Sequence, residues 1–223
     1  MKKTLLALAG LAAAPGLWAF WIEPSRTVYR EADIVLEGLP TALSGLKIAF
    51  LSDLHVGAPT VTLARLRDIV RETNAHRPDL ILLGGDYVVQ NVLGGNPVAP
   101  ALIFAALNRL RARLGVFAVM GNHDWWYGYD DIIADFQNHS PNIRLLEDSE
   151  IGLSHNERRF RLMGITDFDE GPKRYGRVLA DGDDRFILAF THSPDVFPEL
   201  SRRIGLTLAG HTHGGQVYIP FVG

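Results

Sequence analysis

Seven side chains able to bind a cation stand at the ends of apolar runs. Asp53 and His55 close KIAFLSDLH, Asp86 closes DLILLGGD, Asn122 lies in VFAVMGNHD, His192 in RFILAFTHS, and His211 and His213 in LTLAGHTH. All offer nitrogen or oxygen and the chain has no cysteine, which excludes thiolate metal sites and thiol nucleophiles and suits divalent Mn, Fe, Zn or Ni. Seven donors exceed what one ion with an open position uses, so two ions sharing a ligand fit better. A carboxylate can bridge, and Asp86 is the expected bridge. Two carboxylates against four positive charges leave a site that attracts an anion such as hydroxide or phosphate. A bound divalent ion lowers the pKa of water from 15.7 to about 7, and paired ions about 3.5 to 4 Å apart can hold the attacking and leaving oxygens together. The expected chemistry is hydrolysis at phosphorus by a hydroxide that bridges two ions. His123 remains as a proton donor to the leaving oxygen, with Asp124 expected to hydrogen-bond it and keep it protonated.

Such a constellation needs elements that end in the same place. From Leu46 onward, short apolar runs alternate with amphipathic stretches: Thr60 to His76, Pro100 to Leu114 and Tyr129 to His139 read as helices, with Gly115 expected to stop the second. Near-continuous apolar strands interleaved with helices indicate sheets buried on both faces, an α/β architecture, in which ligands bind beyond the carboxyl ends of the strands. The i, i+2 spacing of Asp53 with His55, and of His211 with His213, suits extended backbone, where residues two apart face one side. On a helix that spacing splays them by about 200°.

The first thirty residues differ from the rest. After Lys2 and Lys3, Thr4 to Ile22 carries no charge, about the length of a bilayer-spanning helix. It reads as an export signal, with Ala12 and Ala14 as a small-residue cleavage site, or as a retained anchor with Trp18 and Trp21 at the interface. Either places residues 31–223, a single domain, outside the cytoplasm. A formal net charge of −3 on 223 residues gives no sequence-wide basic surface for nucleic acid, and no protein partner is indicated.

The series DLH, GGD, GNHD, THS and GHTH resembles, in order and approximate spacing, the calcineurin-like metallophosphoesterases, and GHTHGGQV looks most like the subgroup of membrane-anchored or exported phosphodiesterases. The resemblance implies a four-layer α/β/β/α sandwich of two mixed sheets flanked by helices. It also implies one ion on Asp53, His55, Asp86 and His213, a second on Asp86, Asn122, His192 and His211, and His123 near the leaving group. Val89 stands where many relatives carry a carboxylate and purple acid phosphatases a tyrosine, so a tyrosinate-bound ferric ion is not expected. Gln90 and Asn91, in place of an arginine, argue against a phosphoprotein-phosphatase type of site. The family pattern also leads one to expect further strand beyond Gly223.

The remaining polar residues read more plainly. His76 and His139 are expected at helix ends, His155 in an exposed turn, and Arg109, Arg111 and Arg113 at the exposed end of a helix. Asp167 and Asp169 read as a solvated loop, with an acceptor for a ligand histidine as the alternative. Trp125, Trp126, Tyr127 and Tyr129 are expected to line a substrate wall, contact lipid, or pack beneath the loop. A non-catalytic metal-binding interaction module of the same fold is the competing reading of the whole chain, disfavoured because all seven ligands and His123 are kept. A structural-zinc module is disfavoured by the missing cysteines.

Overall fold

The structure is a computed structural model that describes residue 16, residues 18–172 and residues 184–215. It divides into two compact units, Met1–Ile34 with Gly215–Gly223, and Val35–Gly214. Of the first, a helical turn Trp18–Ile22 and a 3-10 turn Glu23–Ser25 are described. Trp18 Nε1 donates to Glu23 Oε2 at 3.0 Å. Most of the expected apolar span, Thr4 to Ile22, lies outside the described residues, and among those described no helix is long and apolar enough to cross a membrane.

The second unit opens with four parallel strands, β1 (Ile48–Leu51), β2 (Leu80–Leu83), β3 (Val116–Ala118) and β4 (Ile143–Leu145), in the order β1-β2-β3-β4. Parallel neighbours need crossovers, supplied by α1 (Leu63–Ala75), α2 (Pro100–Leu107) and α3 (Asn122–His139). Four further strands form the second sheet in the order β5-β6-β7-β8: β5 (Ser149–His155), β6 (Arg158–Ile165), β7 (Ile187–Thr191) and β8 (Ile204–Ala209). Among the described residues only the β5–β6 hairpin is antiparallel. One described sheet is therefore mixed and the other wholly parallel, rather than both mixed, because a helix returns the chain after each of the first three strands.

Side-chain alternation makes the layers. Ile81 and Leu83 face α1, α2 and α3 with Leu66, Val70, Phe104 and Phe136. Leu80 and Leu82 face the other way and meet Phe160, Leu162, Leu188 and Phe190 between the sheets. On the far face of the second sheet, Met163, Ile165, Ile187 and Ala189 pack with Val196, which belongs to a 3-10 segment, Pro194–Glu199. Among the described residues this segment stands where the fourth, helical layer was expected.

Local chemistry sets the helix limits. Thr62 starts α1 by accepting from the Arg65 amide at 3.2 Å. Helix α2 stops at Leu107 rather than Leu114, because the chain beyond finds other partners. Asn74 donates to the Arg109 carbonyl and accepts from the Arg111 amide, while Arg111 Nη1 donates to the Asn108 and Leu110 carbonyls. The three arginines thus lie in a loop, and Arg113 reaches Asp79 and His155 Nδ1. His155 is buried at the end of β5, not exposed in a turn. Helix α3 begins at Asn122, well before Tyr129, and Gly128 (φ 128°) breaks it into two runs.

Candidate metal centre

All seven expected ligands lie just beyond strand ends, and five have left-handed backbone: Asp53 (φ 56°), His55 (φ 41°), Asp86 (φ 56°), His211 (φ 68°) and His213 (φ 52°). Each such residue costs on the order of 1–3 kcal/mol unless its surroundings hold it. The holding contacts are visible. The Asp53 amide donates to the Gly85 carbonyl at 3.0 Å and the His55 amide to the Asp86 carbonyl at 2.9 Å, tying the turns after β1 and β2 together. The Asp53 carboxylate accepts the His211 amide at 3.0 Å, joining the two sheets. The expected extended i, i+2 arrangement is therefore replaced by tight turns. Asp53 and His55 still face one space, whereas His211 and His213 turn to different halves of the site.

In one half, His55 Nε2 lies 3.2 Å from His213 Nε2, the two rings stacked, and His213 Nε2 lies 3.4 Å from Asp53 Oδ1. In the other, Asn122 Oδ1 lies 3.0 Å from His192 Nε2 and 3.1 Å from His211 Nδ1, with those nitrogens 3.2 Å apart. Asp86 Oδ2 stands between the halves, 3.4 Å from His55 Nε2 and 3.3 Å from His192 Nε2. The structure thus brings all seven donors together, with the expected bridging carboxylate in the centre.

Two backbone carbonyls orient the rings. His192 Nδ1 faces the Gly84 carbonyl at 2.8 Å and His55 Nδ1 the Val88 carbonyl at 3.2 Å. A carbonyl only accepts, so each Nδ1 carries a hydrogen and each Nε2 faces inward. Asp167, the possible acceptor for a ligand histidine, instead caps its own turn, accepting from the Asp169 and Glu170 amides.

The donor set fits metal ions. Donors about 2.0–2.1 Å from one ion stand about 2.8–3.4 Å from each other at the edges of an octahedron or tetrahedron, and the separations here fall in that range. Without a cation, lone pairs of His192, His211 and Asn122 converge, and one proton cannot satisfy them all. Burial alone would raise the Asp86 carboxyl, but the His192 bond and charge, with the His123 amide and His55, hold it below its ordinary value. Burial likewise opposes charge on His192, yet Asp86 carries its pKa up to about 9. Burial dominates at His55 and lowers it. A divalent ion would take the place of the proton shared by Asp86 and His192.

Beside the ligands, the His123 amide donates to Asp86 Oδ1 at 2.9 Å, and its ring meets His55 edge-on at 4.7 Å. The expected bond from Asp124 to this ring is absent; Nδ1 of His123 faces Gln90 Oε1 at 2.9 Å. Asp124 is fully buried and accepts four backbone amides: Gly121 and Asp86 at 2.9 Å, Tyr87 at 3.0 Å and Val88 at 3.3 Å. Burial, then the Asp86 charge, push its carboxyl up to about 7 against the pull of those amides. Gly121 allows the close approach: a Cβ there would sit 2.6 Å from the Asp86 nitrogen and nearer still to its carboxylate. Among the aromatics, Trp125 stacks on Tyr129 at 3.7 Å, while Trp126 stays 60% exposed, 4.9 Å from the His123 ring, its Nε1 donating to Glu170 Oε1 at 2.7 Å. Tyr87 is buried with its hydroxyl donating to the Val119 carbonyl at 2.9 Å, so no tyrosine ligand comes from this loop.

A parallel sheet and a mixed sheet that converge their carboxyl ends on seven histidine, aspartate and asparagine donors define a metal-dependent phosphoester-cleaving class of domain. The chain belongs to the calcineurin-like phosphoesterase family, whose profile matches residues 46–215. It is 31% identical over 211 residues to a zebrafish (Danio rerio) transmembrane protein with metallophosphoesterase domain, covering 88% of this chain and 46% of that one. It is 34% identical over 185 residues to the Escherichia coli phosphodiesterase YaeI, covering 79% and 64%. To the Bacillus subtilis metallophosphoesterase YkuE it is 28% identical over 233 residues, covering 98% and 76%. The chain spans about half the length of the zebrafish relative and of a Caenorhabditis elegans metallophosphoesterase, 46% and 44%.

Proposed function

We propose that this chain hydrolyses phosphoric esters, phosphodiesters in particular, with two divalent ions held by Asp53, His55, Asp86 and His213 on one side and Asp86, Asn122, His192 and His211 on the other. The carrying observation is the position of Asp86 Oδ2, 3.4 Å from His55 Nε2 and 3.3 Å from His192 Nε2, which suits one carboxylate serving both halves. Ions bound there supply an activated water and neutralise charge on the phosphoryl oxygens. The residues do the rest. Asp53 fixes the turn that presents His211, the Gly84 and Val88 carbonyls keep two imidazoles aimed inward, and His123 offers its ring as proton donor to the leaving oxygen. The diester preference is supported by the name of the Escherichia coli relative. The charge-free run Thr4 to Ile22 behind Lys2 and Lys3 supports an extracytoplasmic domain, anchored or exported.

The test is metal analysis joined to a substrate panel. Chelated protein reloaded with Mn or Zn is expected to cleave a chromogenic phosphodiester faster than the matching monoester, and Asp86→Asn to lose at least about 100-fold along with bound metal. A folded, metal-loaded protein that cleaves neither ester from mildly acidic to alkaline pH would leave the non-catalytic module as the reading.

A further inference from the structure

Gln90 lies four residues past Asp86 on the loop that leaves β2, and both ends of its side-chain amide meet His123. Its Nε2 donates to the His123 carbonyl at 2.7 Å, and its Oε1 faces His123 Nδ1 at 2.9 Å. A backbone carbonyl only accepts, so the NH2 end of Gln90 must be the end beside it, and the oxygen is left for the ring. That oxygen in turn only accepts. Nδ1 of His123 therefore carries a hydrogen, and Nε2 is the nitrogen left to exchange a proton. A His123 ring nitrogen lies within 4.8 Å of donor atoms of His55 and Asp86, so the ring stands beside the proposed metal ligands. The other neighbours of the ring, His55 edge-on and Trp126 tilted, confine it by packing and do not choose between its nitrogens.

We propose that Gln90 is the positioning residue for His123: its two hydrogen bonds hold the imidazole in one flip and one tautomer, with Nε2 presented to the departing oxygen. This rests on the phosphoesterase reading of the site. In the step served, a water oxygen bonds to phosphorus as the bond from phosphorus to the leaving oxygen breaks. From the imidazolium form, with the Nδ1 hydrogen kept on Gln90 Oε1, the Nε2 proton moves to that oxygen, and a proton from the water restores it. The charge-neutral amide adds no charge to the imidazole, so Gln90 acts through geometry.

The leaving group separates this role from mere support of the fold. Gln90→Met keeps the length and removes both bonds. It is expected to lower kcat about 10- to 100-fold for diesters with alkyl leaving groups, which need a proton. KM should change less than about twofold, and dinitrophenyl diesters, which leave unprotonated, should lose less than about threefold. In a His123→Ala background the same change should cost nothing further. Gln90→Glu, which keeps an acceptor for Nδ1, should recover part of the alkyl-ester rate. Independently of turnover, nitrogen-15 spectra of histidine-labelled protein, metal-free and zinc-loaded, should show neutral His123 protonated at Nδ1 in the wild type and a mixture of tautomers in Gln90→Met. An equal loss for all leaving groups, an equal loss without His123, or an unchanged tautomer overturns the proposal. If the wild type hydrolyses nothing, the phosphoesterase reading fails and the spectra still decide the role of Gln90.

Discussion

Asp124 was expected from its neighbourhood to serve His123, and the structure gives it other work that Asp124→Asn can expose. Its carboxylate receives the amides of Gly121 and Asp86 on one oxygen and those of Tyr87 and Val88 on the other. This ties the turn that carries Asp86 to the start of α3, where Asn122 and His123 sit. Asparagine keeps one acceptor oxygen and turns an NH2 toward two of the four amides. Each buried amide left without an acceptor costs about 1–3 kcal/mol, so the substitution should destabilise the fold by roughly 2–6 kcal/mol. For a chain of this size that lowers the melting temperature by roughly 4–24 °C, a large share of a typical stability of about 5–15 kcal/mol. Circular-dichroism melts of metal-free protein measure the loss, and metal analysis should show weakened retention of both proposed ions, since the displaced turn carries Asp86, the ligand proposed to serve both. Activity per bound metal pair should stay within about tenfold of wild type, because no atom of Asp124 faces the reacting space. An Asp124→Asn protein that melts within about 2 °C of wild type yet loses 100-fold in kcat with metal bound would refute this and make Asp124 catalytic.

Three further outcomes follow from the same geometry. Gly121→Ala drives a Cβ against the Asp86 backbone and carboxylate, so metal content measured by atomic emission should fall although no ligand was changed; full loading would contradict the close approach. His213→Ala and His211→Ala remove ligands from opposite halves, so each should retain about one ion per chain in zinc titrations, and loss of both ions in either would show that the halves do not form separately. Asp79 accepts from the Lys47 amide and from Arg113. Burial opposes its charge, but these donors hold its carboxyl below its ordinary value. Its contribution is therefore present above the unfolded pKa of about 3.9 and lost as pH falls through the lower native value. Asp79→Asn should cost about 1 kcal/mol by urea melts at neutral pH and progressively less in acid; a gap that is constant with pH would rule out the charge as its source.

The gathering of the seven donors was legible because their chemistry is concentrated at strand ends, where any α/β sheet collects it. Their backbone was not. The turns holding Asp53 and His55 are set by bonds to Gly85 and Asp86, more than thirty residues away, and no local pattern writes such a bond into DLH. That error had a consequence: extended backbone faces His211 and His213 to one side, whereas only the turns after β8 let these imidazoles reach opposite halves of the site, in line with the grouping the family resemblance implied. The Asp124 assignment failed for a simpler reason, since adjacent residues on a helix point about 100° apart and do not face each other; Asp124 looks into the core while His123 looks out of it. The second sheet's first hairpin had a faint signal in Asn156 and Glu157, a two-residue loop with φ of 45° and 65°, but glutamate is a poor marker of such a turn. Gln90 had none, because a glutamine is informative only once its partner is known. Its pairing with His123, 33 residues later, marks where sequence reading stops: candidate donors follow from residue type and spacing, while the orientation of an imidazole is set by neutral groups the fold brings up from elsewhere.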